Sequence, residues 1–150
     1  VELAHIKGVK VFVALNSLLK PDELIQAGQF LDLLQCQVKP DAIIIQDLGM
    51  VSLIKQTGFS GEVHLSTLAN ASFPAALPII RQHLHVDRVV LPRELNVDEL
   101  RILARECPAD LDLEVFVHGA LCYGVSGICY WSSYMGGNSG LRVRCVQLCL

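Results

Sequence analysis

The chain has 150 residues, 52% of them apolar, and twelve basic against fifteen acidic side chains give it a net charge of −3. Such a composition supports one sizeable core and excludes a disordered chain, and the net charge gives no general electrostatic reason to bind nucleic acid. No stretch approaches the roughly 18 uninterrupted apolar residues of a membrane span, and the start lacks a signal-peptide pattern, so a cytoplasmic protein without a membrane span is expected. The sequence opens on Val1 and closes on Leu150 directly after Cys149, which reads as a piece cut from a longer chain.

Taken in order, the chain alternates strand and helix patterns. Val9–Ala14 is a β-branched run that predicts a first strand. Pro21, Asp22 and Glu23 then form a helical first turn ahead of the apolar positions Leu24, Ile25, Phe30, Leu31, Leu33 and Leu34. Strands at Ala42–Gln46, Glu62–Ser66 and Arg88–Leu91 alternate with helices at Leu48–Gln56 and Ser72–His83. Asn96 caps a helix running to Cys107, and Leu113–Val117 is the last strand. Strand starts lie about 20 to 30 residues apart, the span of one strand–helix unit with a parallel crossover.

The fold class this implies is α/β: a partial (β/α) TIM-type barrel of about five consecutive units, with residues 1–118 as the partial barrel and 119–150 as a cysteine-rich segment of the same domain. Ligands meet the C-terminal ends of the strands in such sheets. Polar residues collect there: Asn16, Gln46 and Asp47, His64 with Ser66 and Thr67, Arg93 and Glu94, and His118. As substrate-binding candidates Gln46, Asp47, His64, Ser66, Thr67, Arg93 and Glu94 compete with a plainer reading, helix capping and loop solvation. Glu114 lies inside a strand and shares a face with Phe116 and His118 by the two-residue period. It reads either as a catalytic acid or as an inward carboxylate paired with an Arg of a neighbouring strand.

The C-terminal stretch differs in kind from the rest. From Gly119 onward there is no Asp or Glu, Arg142 and Arg144 sit close together, and Tyr123, Tyr130, Trp131 and Tyr134 account for every tyrosine and tryptophan. Two of the six cysteines, Cys36 and Cys107, fall in apolar helical stretches and read as small buried hydrophobes. The other four, Cys122, Cys129, Cys145 and Cys149, follow the pattern C-x6-C-x15-C-x3-C. Clustered thiols in a reducing compartment read first as metal or cluster ligands. The wide Cys122–Cys129 spacing, with Gly124 and Gly127 between, suits a [4Fe-4S] cluster better than zinc, while zinc and free or disulfide-forming thiols remain alternatives.

The run Glu114-Val115-Phe116-Val117-His118-Gly119-Ala120-Leu121-Cys122, followed by Gly127-Ile128-Cys129 and Ser132, resembles the signature of the collagenase-like peptidase family, peptidase type U, family 32. Similarity extends to Gly8–Val13, Asp41–Gly49, His64–Thr67, Arg88–Leu95 and the Cys145–Cys149 segment around Gln147, nearly the whole chain. The resemblance implies a barrel with further segments on both sides. It also implies a parent that is an iron-sulfur protein supporting hydroxylation of RNA or of a quinone precursor, with RNA or a small aromatic molecule as substrate. Its cluster would rest on Cys122, Cys129, Cys145 and either Cys149 or a downstream cysteine. Arg142 and Arg144 would meet phosphate or carboxylate. The alternatives are a peptidase with Cys122 as nucleophile and His118 as base, and a structural zinc domain. The piece alone is expected to be inactive, and its open strand edges to favour a homodimer.

Overall fold

The computed structural model describes residues 1–119, 122–142 and 144–147. A short helix α1 (Glu2–Ile6) precedes five strands, β1 (Phe12–Leu15), β2 (Ala42–Ile45), β3 (Glu62–Leu65), β4 (Arg88–Val90) and β5 (Asp112–Glu114). Between them run α2 (Leu24–Leu33), α3 (Met50–Thr57), α4 (Ala76–Ile79) and α5 (Val97–Glu106), and α6 (Trp131–Gly136) follows. All neighbouring strands pair in parallel, in the order β1-β2-β3-β4-β5. The expected α/β class and run of consecutive strand–helix units are thus present, as an open sheet with β1 and β5 at its edges.

The odd-numbered strand residues make the core. Ile43, Ile45, Leu65, Val89 and Leu91 pack against Leu31, Leu34, Met50, Ile54, Leu77 and Leu103 of the helical layer, all buried. Even positions point to the other face, where apolar side chains on β1 and β2 give way to mostly polar ones on β3, β4 and β5. Glu62 meets His64 at 2.7 Å, and Arg88 meets Asp112 at 2.9 Å and Glu114 at 3.4 Å while lying over the Phe12 ring. Each acid lies next to a base on the same or the adjacent strand, which keeps buried or half-buried charge paired.

The strand entries share one device. Asp41 Oδ2 accepts the Val11 amide at 2.6 Å and Asp87 Oδ2 accepts the Val63 amide at 2.9 Å, so an aspartate ahead of one strand satisfies an amide at the start of its neighbour.

Most strand boundaries fall within one residue of expectation, and two differ by three residues for local reasons. β1 begins at Phe12 because Gly8 adopts a φ of 69° and the Val9 amide turns back to the Ala4 carbonyl at 2.9 Å. β5 ends at Glu114, whose carbonyl takes the Leu91 amide at 2.8 Å. The next residue of that neighbouring strand is Pro92, which has no N–H to continue the ladder, so Val115, Phe116 and Val117 stand exposed. Cys36 is also corrected. It lies in the wide turn Leu34–Val38 that ends the second helix, and that turn carries it to the surface rather than into the core. Cys107 is half-buried, with its thiol donating to the Leu111 carbonyl at 3.2 Å.

Candidate functional site at the strand ends

After β2, Asp47 acts as a joint. Its Oδ2 accepts the Leu19 amide and its Oδ1 the Gly49 amide, both at 2.9 Å, which fastens the β1 loop to the start of α3. Gln46 is buried, and with its amide nitrogen turned inward it donates to Leu141 O at 3.2 Å and Asn16 O at 3.3 Å. After β3, Ser66 caps the turn Thr67–Ala69 by accepting the Leu68 amide at 3.2 Å. His64 lies lower, within β3, fully buried between Glu62 and the edge of the Phe12 ring.

Arg93 and Glu94, which follow β4, reach the cysteine loop. Arg93 Nη2 donates to Gly124 O at 3.4 Å, and Glu94 Oε1 accepts the Ser126 amide at 2.5 Å. Burial pushes the Glu94 carboxyl up, but the amides of Glu94 and Ser126 bonded to it outweigh that and leave it below its ordinary value. Gly127 presses on the Leu68 carbonyl so closely that an added Cβ would stand 2.0 Å from that oxygen. Further on, Leu141 O accepts the Leu18 amide at 3.3 Å, and Arg142 pairs with Glu23 at the head of the α2 segment. The C-terminal segment is therefore tied to the ends of β3 and β4 through the loop at 122–130, and to the ends of β1 and β2 through the turn Gly140–Arg142.

The thiols sit in this segment. Cys122 and Cys129 flank one point: a Cβ on Gly124 would stand 3.0 Å from Cys129 Sγ and 3.7 Å from Cys122 Sγ, so glycine keeps the space between the sulfurs open. A Cβ on Gly140 would stand 3.7 Å from the Cys129 carbonyl oxygen and 3.9 Å from Cys145 Cβ. The buried Ser132 hydroxyl donates to Cys145 Sγ at 3.5 Å and accepts the Val146 amide at 3.3 Å. That hydroxyl first, and the Gln147 amide second, hold the Cys145 thiol below its ordinary value. Cys122, Cys129 and Cys145 are free thiols, while Cys149 lies outside the described residues. Among the described residues no three His, Cys, Asp or Glu side chains stand together as a metal-ligand set. The donor chemistry fits a thiolate-bound cluster, whereas a closed ligand set is not formed by the described cysteines.

Ser132→Ala is expected to raise the Cys145 pKa toward that of an ordinary thiol and to slow its alkylation at neutral pH about two- to fivefold. Peptide-resolved labelling across pH checks this, and an unchanged midpoint for Cys145 would show that the hydroxyl has no such influence.

Glu114 is half-buried and bonded to Arg88, which is the pairing with a neighbouring strand rather than a free acid. His118 is exposed, and no hydrogen bond joins it to Cys122 among the described residues. Tyr123 and Tyr134 are exposed too, so they do not pack around the thiols, and Trp131 stands 6.5 Å from the Tyr134 ring. Arg142 does not stand ready for an anion, because Glu23 already neutralises it. The site residue that strand-end polarity alone undervalues is Asn16. It lines a cleft with Glu23 and Arg142, and its only sequence signal is its place after β1.

A profile described as "Peptidase family U32" matches residues 1–150. The chain is 34% identical to "tRNA hydroxylation protein P" of Haemophilus influenzae over 99% of its own length and 32% of that protein. It is 37% identical to "23S rRNA 5-hydroxycytidine C2501 synthase" of Escherichia coli, covering 99% of this chain and 22% of that one. To a "Collagenase" of Porphyromonas gingivalis it is 33% identical, over 99% of this chain and 37% of that one. The solved "Structure of the U32 Peptidase Mk0906" superposes with a TM-score of 0.61 at 18% identity, over 75% of this chain and 48% of that one, a likeness of fold. The chain thus spans about a third or less of the length of the first curated relatives it matches.

Proposed function

We propose, on the premise that the chain belongs to peptidase family U32, that it is part of a protein supporting hydroxylation of RNA, with Cys122, Cys129, Cys145 and Cys149 as thiolate ligands of an iron-sulfur cluster. The observation that carries the reading is the arrangement of thiols around Gly124: two sulfurs flank a space that only glycine leaves open, and the Cys145 thiol, further along the same segment, is acidified by Ser132. A thiol with a lowered pKa ionises more readily, and thiolates favour soft metal centres. A cluster held there would supply one-electron redox chemistry. The chain's own contribution is to fix the loop that carries the ligands, through Arg93, Glu94 and Leu68, and to offer hydrogen bonds to sulfur, which tune a cluster's potential. The proposal places the protein in the cytoplasm, where RNA is modified and thiols stay reduced.

The RNA substrate class rests on the relatives named for tRNA and rRNA hydroxylation. The peptidase alternative draws on the collagenase relative, and it needs His118 as a base within reach of Cys122, a contact absent among the described residues.

Two measurements test the reading. Full-length protein purified without oxygen should be brown and contain iron and acid-labile sulfide, and both should be lost in Cys122→Ser and Cys129→Ser but kept in Cys36→Ser and Cys107→Ser. Mass spectrometry of tRNA and rRNA nucleosides should show a hydroxylated base that disappears when the gene is deleted. A colourless protein carrying stoichiometric zinc would sink the cluster, and unaltered nucleosides would sink the RNA assignment.

A further inference from the structure

The loop between Cys122 and Cys129 is pinned to the sheet at three points. Arg93 Nη2 donates to Gly124 O at 3.4 Å, Glu94 Oε1 accepts the Ser126 amide at 2.5 Å, and Gly127 packs against the Leu68 carbonyl. Inside the loop, the Ile128 amide donates to the Val125 carbonyl at 3.3 Å and closes the turn before Cys129. A loop held this way fixes its two thiols relative to each other. The nearest atoms to the point that a Gly124 Cβ would occupy are Cβ and Sγ of Cys129, both at 3.0 Å, and Cys122 Sγ at 3.7 Å. With no side chain on Gly124, nothing stands at the point the two sulfurs share, and a turn about their Cα–Cβ bonds is the motion that brings them together.

These sulfurs form a pair and not a set. Both are free thiols, and among the described residues no third His, Cys, Asp or Glu joins them as a metal-ligand group. The Cys145 sulfur is engaged elsewhere, by the Ser132 hydroxyl at 3.5 Å. Two thiols fixed in one short loop have a high effective concentration toward each other, which favours an intramolecular disulfide over mixed disulfides with small thiols. Access sets the order of events, because Cys122 is exposed and Cys129 half-buried.

We infer that Cys122 and Cys129 form a reversible disulfide whenever their sulfurs carry no metal, by exchange with a low-molecular-weight disulfide such as that of glutathione. Cys122, as thiolate, attacks one sulfur of the small disulfide, and one small thiolate leaves. Cys129, as thiolate, then attacks Cys122 Sγ, the mixed S–S bond breaks, and the second small thiolate leaves. The two protein thiols give up two electrons and two protons, and the small disulfide takes them up as two thiols. The new bond occupies both sulfurs, so the pair cannot hold a metal until a thiol reductant reopens it, and it keeps the exposed Cys122 from the irreversible steps of oxidation. The disulfide rests on the loop geometry alone, while its consequence for metal loading rests on the iron-sulfur reading above.

Metal-free, fully reduced full-length protein, equilibrated without oxygen in graded mixtures of glutathione and its disulfide, tests this. After acid quenching and alkylation, peptide mass spectrometry should find a single bond joining Cys122 to Cys129, reopened by dithiothreitol, with Cys36, Cys107 and Cys145 alkylated throughout. Cys129→Ser should strand glutathione on Cys122, whereas Cys122→Ser should leave Cys129 largely unmodified. Gly124→Ala, whose methyl would stand 3.0 Å from Cys129 Sγ, should need about tenfold more glutathione disulfide relative to glutathione for half-oxidation. Mixed disulfides alone in the unmodified protein, a bond from either cysteine to any other, or no oxidation when glutathione disulfide dominates would overturn the assignment. Those outcomes are read on unmodified protein, so a variant that fails to fold cannot obscure them. A closed pair in a protein whose reduced form takes up no iron would leave the disulfide standing and remove the cluster instead, and a protein that loads iron but never closes the pair would do the reverse.

Discussion

Gly127→Ala is expected to destabilise the protein by roughly 2 to 5 kcal/mol and to free the cysteine loop from the sheet. Two costs combine at this position. Its φ of 76° is strained for any residue with a Cβ, at about 1 to 2 kcal/mol, and the new methyl would stand 2.0 Å from the Leu68 carbonyl oxygen and 2.9 Å from its carbon. Those are backbone atoms at the end of β3, fixed by the Ser66 cap, so they cannot swing aside as a side-chain tip would. Gly58→Ala supplies the control. Gly58 has a similar φ of 67° but nothing within 4 Å of its would-be Cβ, so it should cost only the strain, about 1 kcal/mol. Urea unfolding of the two variants separates the terms, and thiol labelling of Cys122 and Cys129 in native buffer reports the loop. Equal losses in both variants would mean that the close approach to Leu68 does not fasten the loop.

The same contact shows why the sheet was legible in the sequence and the site only in outline. Runs such as Ala42-Ile43-Ile44-Ile45 declare a buried strand by composition, and the odd positions that make the core follow from the pleat. Asn96 and Glu99 form the expected capping box on α5. What local pattern could not give were features set by distant partners. β5 stops at Glu114 because a proline stands on the neighbouring strand. Arg142 reads as a free cation until the fold brings Glu23 to it across 119 residues. Arg93 and Glu94 read as strand-end residues, and what they hold is the protein's own loop. Cys36 lies on an apolar stretch and still reaches the surface, because the wide turn that ends its helix shifts the helical phase on which the burial argument depended.

Acid should unfold this protein through a definite set of groups. Five carboxyls are held below their ordinary values of 4.5 for Glu and 3.8 for Asp: Glu23 by Arg142, Asp41 by the Val11 amide, Glu62 by His64, Asp110 by Arg81, and Glu94 by backbone amides that overcome its burial. A carboxyl whose folded pKa is depressed contributes stability that is fully present above its unfolded pKa and is lost as pH falls through its folded one. The urea midpoint should therefore be nearly flat from about pH 7 to about pH 5 and fall steeply below about pH 4.5. Two of the five, Glu23 and Glu94, tie the C-terminal segment to the sheet, whereas Asp41, Glu62 and Asp110 act within the barrel units. Trp131, the only tryptophan, lies in that segment and its emission reads the first group, while far-ultraviolet circular dichroism reads the whole. Glu23→Gln should shift the Trp131 transition and leave the circular dichroism transition nearly in place. Added salt should weaken the contribution of the exposed pairs at every pH. A midpoint that does not change between about pH 6 and about pH 3 would mean that these carboxylates are no better held in the folded chain than in the unfolded one.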